Sequence, residues 1–291
     1  MQGSTIHHYQ PGRPHWWQWL TVLSLDAPLV AIAWQVGLAR AARLPLREHH
    51  GFILGAAVWL AYAADRWIEG WRLVPGQVLT QRHFFYLRWR WPVAVVWLLV
   101  LTVAVGVSVM RLTERELVTG LLLLVPVLVY LLSHQLVHRH HPRRAPKEVC
   151  VALLFAAGAI CFPAARHPAV LLEQAGPLGL FALLCFTNCS LIAIWEGEVD
   201  RAHEQTSLAL QFPRSHGLVR WLPWFIFALG LGLAWHGPAA GLAGCAAASG
   251  ALLGLLDRLH LRFGRQLSRA LADLVLLTPF ILLVGEKLAG P

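Results

Sequence analysis

The sequence predicts an all-α fold, a polytopic membrane helical bundle. Of its 291 residues, 57% are hydrophobic and only 13% are charged, whereas about 25% of the residues of a soluble domain are charged. The hydrophobic residues form runs long enough for membrane-spanning helices, while a membrane β-barrel would show short alternating segments. The longest stretch between these runs, residues 67–90, has 24 residues. Because this leaves no room for a soluble domain, residues 1–291 are predicted to form a single transmembrane domain.

Nine runs have the length of a membrane-spanning helix. About 20 apolar residues are needed, because each helical residue advances about 1.5 Å through a hydrocarbon layer about 30 Å thick. The predicted spans are residues 17–39, 51–66, 91–110, 116–136, 148–165, 176–196, 221–236, 239–256 and 269–284. A polar segment precedes the first of them, so we expect a retained span there rather than a cleaved leader.

Arginine and lysine residues are unequally distributed between the two sides of this bundle. Seventeen lie on the side of the N-terminus and the loops after spans two, four, six and eight, and seven lie on the other side. Loops rich in these residues stay in the cytoplasm, so the first side is predicted to be cytoplasmic, in a bacterial-type inner membrane. The same retention explains the net charge of +9 without a nucleic-acid partner. The five cysteines lie in apolar runs and indicate neither a disulfide framework nor a zinc site.

Two pairs of acidic residues stand at the cytoplasmic ends of predicted spans two and six. Asp65 and Glu69 form the first pair, and Glu196 and Asp200 form the second. Their i,i+4 spacing puts both carboxylates of a pair on one helix face, where like charges repel each other, so a cation is predicted between the pairs. Magnesium is the natural candidate, since it binds one or two carboxylates together with phosphate oxygens. The alternative is that these are interface acids matched by neighbouring arginines.

This arrangement resembles the UbiA superfamily of intramembrane prenyltransferases over essentially the whole chain. The family's first motif is Asn-Asp-x-x-Asp-x-x-x-Asp; residues 61–69 keep Asp65, carry Glu69 in place of the last Asp, and have Ala61 and Tyr62 in place of Asn-Asp. Its second motif, Asp-x-x-x-Asp, is matched by Glu196-x-x-x-Asp200, and residues 155–158 are also similar, though weakly.

The resemblance implies a prenyltransferase that uses Mg²⁺ to move a prenyl group from a prenyl diphosphate to an aromatic or other lipophilic acceptor among the membrane lipids. A metal would neutralise the diphosphate leaving group. The residues that would hold the metal, and so act in catalysis, are Asp65, Glu69, Glu196 and Asp200. Because the first motif lacks two ligands, a lipid-binding or assembly protein of the same fold without turnover is the alternative.

Further residues are predicted to contact the substrates. Phosphate oxygens would be bound by Arg72, Arg82, Arg143, Arg144 and Lys147, a carbocation by the rings of Tyr62 and Tyr130, and the acceptor by Asn188 and Asp26. Asp26 is the one acid near the middle of a predicted span, where an ionised carboxylate costs about 2.5–3.5 kcal/mol. Each of these residues also has a structural interpretation. The cations would keep their loops in the cytoplasm, the rings would pack against other helices, and the polar side chains would form hydrogen bonds between helices.

A histidine cluster offers a rival chemistry. His134 and His138 are one turn apart, with His140 and His141 just beyond, as in the histidine boxes of di-iron membrane enzymes. One box cannot hold two irons, and the doublet 49–50 falls on the opposite side of the membrane, so a solvated loop is favoured.

The two acidic pairs also predict a tertiary arrangement. We expect spans two and six to lie side by side, so that Asp65 and Asp200 stand on opposite walls of one cavity. The loop after span four, with its three cations, is expected to lie over that cavity.

Overall fold

The computed structural model describes residues 14–72, 80–133, 146–202, 207–236 and 239–282, and these residues are almost entirely helical, with no strand among them. The helices are α1 (Trp19–Val22), α2 (Asp26–Ala41), α3 (Glu48–Arg72), α4 (Gln81–Arg88), α5 (Arg90–Arg111), α6 (Glu114–Leu132), α7 (Lys147–Arg166), α8 (Val170–Glu173), α9 (Ala175–Trp195), α10 (Gly197–Ala202), α11 (Leu208–Gln211), α12 (His216–His236), α13 (Ala240–Phe263) and α14 (Arg265–Leu274). The predicted all-α class is therefore correct.

Six of the described helices are long and apolar enough to cross a membrane: α5, α6, α7, α9, α12 and α13. The number becomes seven if the bent pair formed by Trp16–Val22 and α2 counts as one span. Helix α3 has 25 residues but is not among them. The ninth predicted span is interrupted, because α14 ends at Leu274 and a 3-10 turn, Val275–Leu277, follows. The predicted number of nine spans is not confirmed.

The first predicted span is broken rather than continuous. Helix α2 begins at Asp26 after a bend of 77°, and Ser24 within the break has a φ of 55°. Asp26 is therefore the first residue of a helix, where it accepts a 2.9 Å hydrogen bond from the Ala27 backbone N–H. If the bent pair is one span, Asp26 lies near its middle, at the break rather than within a continuous helix. At a helix N-terminus the unpaired N–H groups favour a carboxylate.

The buried core is formed mainly by α2, α7, α9, α12 and α13. Trp34 of α2 stacks on Phe181 of α9 with ring centroids 4.5 Å apart, and its indole N–H donates to the Leu276 carbonyl at 2.9 Å. Helices α5 and α6 differ, since only 6% of the residues in their apolar windows are buried. Their exposed leucine and valine side chains would face lipid.

Glycines allow α12 and α13 to pack closely. A Cβ added at Gly250 would lie 2.8 Å from the carbonyl oxygen of Pro223, and one added at Gly230 would lie 2.9 Å from that of Ala243. Both contacts involve backbone atoms, which cannot rotate away. Small residues that permit such approaches are typical of helix pairs in membranes.

We expect Gly250→Ala to lower the free energy of unfolding by about 1–3 kcal/mol, because the added methyl group forces α12 and α13 apart. The measurement is a denaturant titration of the purified protein in detergent. Gly244→Ala on the same helix is the matched control, since a Cβ there meets nothing within 4 Å. Equal stability of the two variants would contradict the close-packing interpretation.

A buried ion-pair cluster joins α3, α6 and α7 at the end of the bundle opposite the acidic pairs. Glu116 is fully buried and accepts from Arg166 Nε at 2.5 Å, while its other oxygen caps the start of α6 by accepting from the Thr113 N–H at 2.9 Å. His50 Nε2 lies 3.0 Å from Glu116 Oε1, and its Nδ1 accepts from the Arg47 N–H. The ring is therefore the neutral tautomer that donates from Nε2.

Candidate functional site

The first acidic pair lies near the end of α3, where α4 packs against it. Glu69 Oε2 is 2.9 Å from His83 Nε2, and Thr80 Oγ1 is 2.6 Å from His83 Nδ1. Burial lowers the pKa of His83 to about 4, so the ring is neutral at pH 7, donates Nε2–H to Glu69 and accepts from Thr80. Burial raises the pKa of Glu69, but its hydrogen bond to His83 and nearby cations outweigh this and lower it to about 2. Glu69 is therefore ionised and already has a partner within the protein.

The second acidic pair stands at a break between two helices. Helix α9 ends at Trp195 and α10 begins at Gly197, with Glu196 between them. The i,i+4 relation still holds, because the Asp200 N–H donates to the Glu196 carbonyl at 2.9 Å. Both side chains are buried.

Two arginines from distant parts of the chain bind Glu196. Nη2 of Arg82, on α4, lies 3.2 Å from Glu196 Oε2. Nη1 of Arg269, on α14, donates to the same oxygen. That carboxylate oxygen is directed at two guanidinium groups, so Glu196 is part of an ion-pair network.

Arg82 connects the two acidic pairs electrostatically. Besides Glu196, the carboxylates of Glu69 and Asp200 act on its guanidinium group. The residue is 8% exposed, and neither Nε nor Nη1 has a hydrogen-bond partner among the described residues. Arg82 therefore lies in the region between the two motifs and keeps unused N–H donors there.

Lys147 lies within electrostatic reach of both acidic pairs. It is the first residue of α7, and the charges that act on it include Asp200, Glu69 and Asp65. That a cation of the loop after span four points into the site stays a prediction. The neighbouring residue Glu148 has a different role, since its Oε1 accepts the Leu208 N–H at 3.0 Å and so fixes the start of α11.

The predicted side-by-side packing of spans two and six is not confirmed. Helix α9 packs mainly on α7, α12 and α13, whereas α3 packs mainly on α2, α4 and α5. Helices α4 and α7 each supply a cation, Arg82 and Lys147, on which carboxylates of both pairs act.

A second polar group lies among α2, α3, α9 and α14. Asn188 Nδ2 donates to Asp273 Oδ1 at 2.8 Å. The side chain of Asp26 lies beside that of Asp273. Tyr62 lies close enough to both acids to feel their charge. The predicted acceptor contacts Asn188 and Asp26 are thus brought together with Tyr62.

The two predicted tyrosines border the acidic residues. Tyr62 makes an edge-to-face contact with Phe155 at 5.9 Å between ring centroids. Tyr130 lies within electrostatic reach of Asp65 and Glu69. Their contact with a substrate stays a prediction.

Several predicted residues fall outside what the structure describes. These are Arg143, Arg144, the histidine cluster at 134–141 and the side chain of Arg72. Among the residues that are described, no group of three or more His, Cys, Asp or Glu side chains is arranged to hold a metal ion.

The predicted magnesium site of four acidic residues does not fit the observed arrangement of their carboxylate oxygens. Oε2 of Glu196 faces the guanidinium groups of Arg82 and Arg269, and Glu69 faces His83. A metal ligand needs an oxygen lone pair directed at the metal, and here these lone pairs are directed at N–H donors.

Sequence reasoning missed two residues that hold the acidic pairs, His83 and Arg269. The signal for the first is its place beside Arg82 in the polar stretch that follows the first acidic pair. Arg269 carried a weaker signal, the i,i+4 spacing to Asp273 on a short amphipathic helix. Neither partner could be assigned, because each contact joins helices that are distant in sequence.

Comparisons with known proteins identify the fold. No family model and no curated protein matches the sequence. Among solved structures, the apo structure of a UbiA homolog from Aeropyrum pernix K1 matches 90% of this chain and 98% of its own chain, with a TM-score of 0.57 and 16% sequence identity. The chain has the fold of that UbiA homolog, which confirms the resemblance to the UbiA superfamily at the level of the fold.

Proposed function

We propose that this UbiA-fold protein is an integral membrane prenyltransferase, which transfers the prenyl group of a prenyl diphosphate to an aromatic or other lipophilic acceptor. Residues 1–291 form one membrane domain in this proposal, with the N-terminus and both acidic pairs on the cytoplasmic side. The excess of arginine and lysine on that side supports the orientation. The shared fold supports the class of reaction.

Buried arginine N–H groups beside the acidic pairs are the observation that carries this proposal. Nε and Nη1 of Arg82, Nε of Arg66 and Nε of Arg269 are buried and have no hydrogen-bond partner among the described residues. A buried charged donor without a partner is costly. A ligand with several anionic oxygens, such as a diphosphate, would satisfy these donors with charge-assisted hydrogen bonds.

The residues of the chain have distinct parts in the proposed transfer. Arg82, Arg269 and Lys147 bind the phosphate oxygens and stabilise the negative charge that grows as the allylic carbon–oxygen bond breaks. The electron pair of that bond leaves with the diphosphate, the acceptor supplies the pair for the new bond to the same carbon, and the acceptor loses a proton. Tyr62 and Tyr130 present ring faces to the allylic cation. Magnesium dependence, which the resemblance implies, stays a prediction, and no step here depends on it.

A lipid-binding or assembly protein without turnover is the second candidate. The internal partners of Glu69 and Glu196 favour it, because carboxylates with such partners are less available to hold a catalytic metal. In that case the same arginines would bind a prenyl diphosphate or a similar lipid without cleaving it.

Diphosphate release separates the two candidates. Purified protein in lipid nanodiscs is incubated with prenyl diphosphates of different chain length, with phenolic and quinone acceptors, at millimolar magnesium and in EDTA. We expect acceptor-dependent release of diphosphate together with a prenylated product. Binding without release under every condition would contradict the transferase and support the lipid-binding protein.

A further inference from the structure

We propose that Arg82 takes the place between the two acidic pairs that a divalent cation would occupy, so that the protein binds its prenyl diphosphate without magnesium. The inference rests on the proposed function and concerns the same site. It is drawn from the way in which the acidic residues are already bound within the protein.

The position of Arg82 is the first support. It is buried, donates to Glu196 of the second pair at 3.2 Å and feels the charge of Glu69 in the first pair. A metal that joined the two pairs would have to bind beside this guanidinium group. Two positive charges in adjacent positions repel each other strongly inside a protein.

The balance of charge is the second support. The four acids of the two motifs, Asp65, Glu69, Glu196 and Asp200, are accompanied by four cationic residues, Arg66, Arg82, Lys147 and Arg269. Glu148 and Asp26 also act on two of these cations, so the four cations offset much, but not all, of the negative charge that a divalent cation would meet. Sites that bind Mg²⁺ through carboxylates depend on that negative charge.

Buried donors without partners, on two residues that line a cavity, are the third support. Arg82 and Arg269 line a cavity of about 50 Å³ together with Glu196. Arg82 uses Nη2 on Glu196 and keeps Nε and Nη1 free of partners in the described part of the chain, while Arg269 keeps Nε. Each arginine can therefore hold Glu196 with one edge and a phosphate oxygen with another, which is the forked geometry that guanidinium groups offer.

Binding of a prenyl S-thiolodiphosphate tests the inference, because sulfur in place of the bridging oxygen slows cleavage and separates binding from turnover. The dissociation constant is measured on the purified protein in detergent, once in EDTA and once at millimolar magnesium. We expect the two values to agree within about threefold. Affinity that is more than about tenfold weaker in EDTA overturns the inference.

Arg82→Gln gives the second measurement. It removes a phosphate donor and releases Glu196 from one of its partners, so we expect affinity in EDTA to fall at least about tenfold. Added magnesium should then restore part of the affinity, which it does not do for the wild type. Arg88→Gln, at an exposed arginine of the same helix, is the control and should bind like the wild type.

The outcomes distinguish this inference from the proposed function. Failure of the wild type to bind the analogue under both conditions overturns the proposed function and the inference with it. Binding that requires magnesium overturns the inference alone. If Arg82→Gln does not fold, the comparison of wild type in EDTA and in magnesium still decides.

Discussion

Lys147→Gln is expected to lower kcat for prenyl transfer by about 10²–10³, the loss typical when one donor that stabilises developing negative charge is removed. Lys147 is a cation within electrostatic reach of both acidic pairs. Its charge would stabilise the diphosphate most strongly when the carbon–oxygen bond is breaking. The effect should therefore appear in kcat more than in KM. The measurement is the steady-state rate of diphosphate release, with the melting temperature recorded alongside.

Arg262→Gln is the control for this variant, since it removes an exposed cation from the same predicted side of the membrane. It should leave kcat within about twofold of the wild type, because Arg262 is exposed and is not among the residues that line the cavity beside Glu196. Lys147→Arg keeps the charge and should lose less activity than Lys147→Gln. Unchanged kcat in Lys147→Gln would remove Lys147 from the catalytic proposal.

Glu116→Gln is expected to lower the free energy of unfolding by about 3 kcal/mol, because it leaves the Arg166 guanidinium group without its carboxylate. Glu116 is fully buried and joins α6 to α7 and α3 through Arg166 and His50. Gln has nearly the same shape, so the loss of charge rather than of volume is measured. Arg166 is partly exposed, which limits the penalty to the lower part of the usual range. The measurement is a denaturant titration in detergent.

Glu114→Gln provides the matched control on the same helix, two residues earlier, where the side chain is exposed. Its effect should stay within about 0.5 kcal/mol. Since the Glu116 cluster lies at the opposite end of the bundle from the acidic pairs, kcat of folded Glu116→Gln should be unchanged. A stability equal to that of Glu114→Gln would show that the buried ion pair contributes nothing to stability.

Much of the architecture was predictable because it is local. Long apolar runs give helices, and runs such as those of α5 and α13 coincide with observed helices that are long enough to cross a membrane. The number of spans was less predictable. The break at Ser24 and the 3-10 turn after Leu274 lie within runs that are apolar overall, so counting hydrophobic residues does not reveal the interruption.

At the candidate site, the partners of the acidic pairs could not be predicted from the sequence either. The spacing of Asp65 with Glu69, and of Glu196 with Asp200, predicts paired carboxylates one turn apart, because i,i+4 spacing is a local property of the chain. What those carboxylates contact depends on how other helices pack around them. Their partners come from α4, α7 and α14, and a salt bridge such as that between Glu196 and Arg269 spans 73 residues of the chain. Electrostatic pairing depends on distance in space, which periodicity along a single helix does not encode.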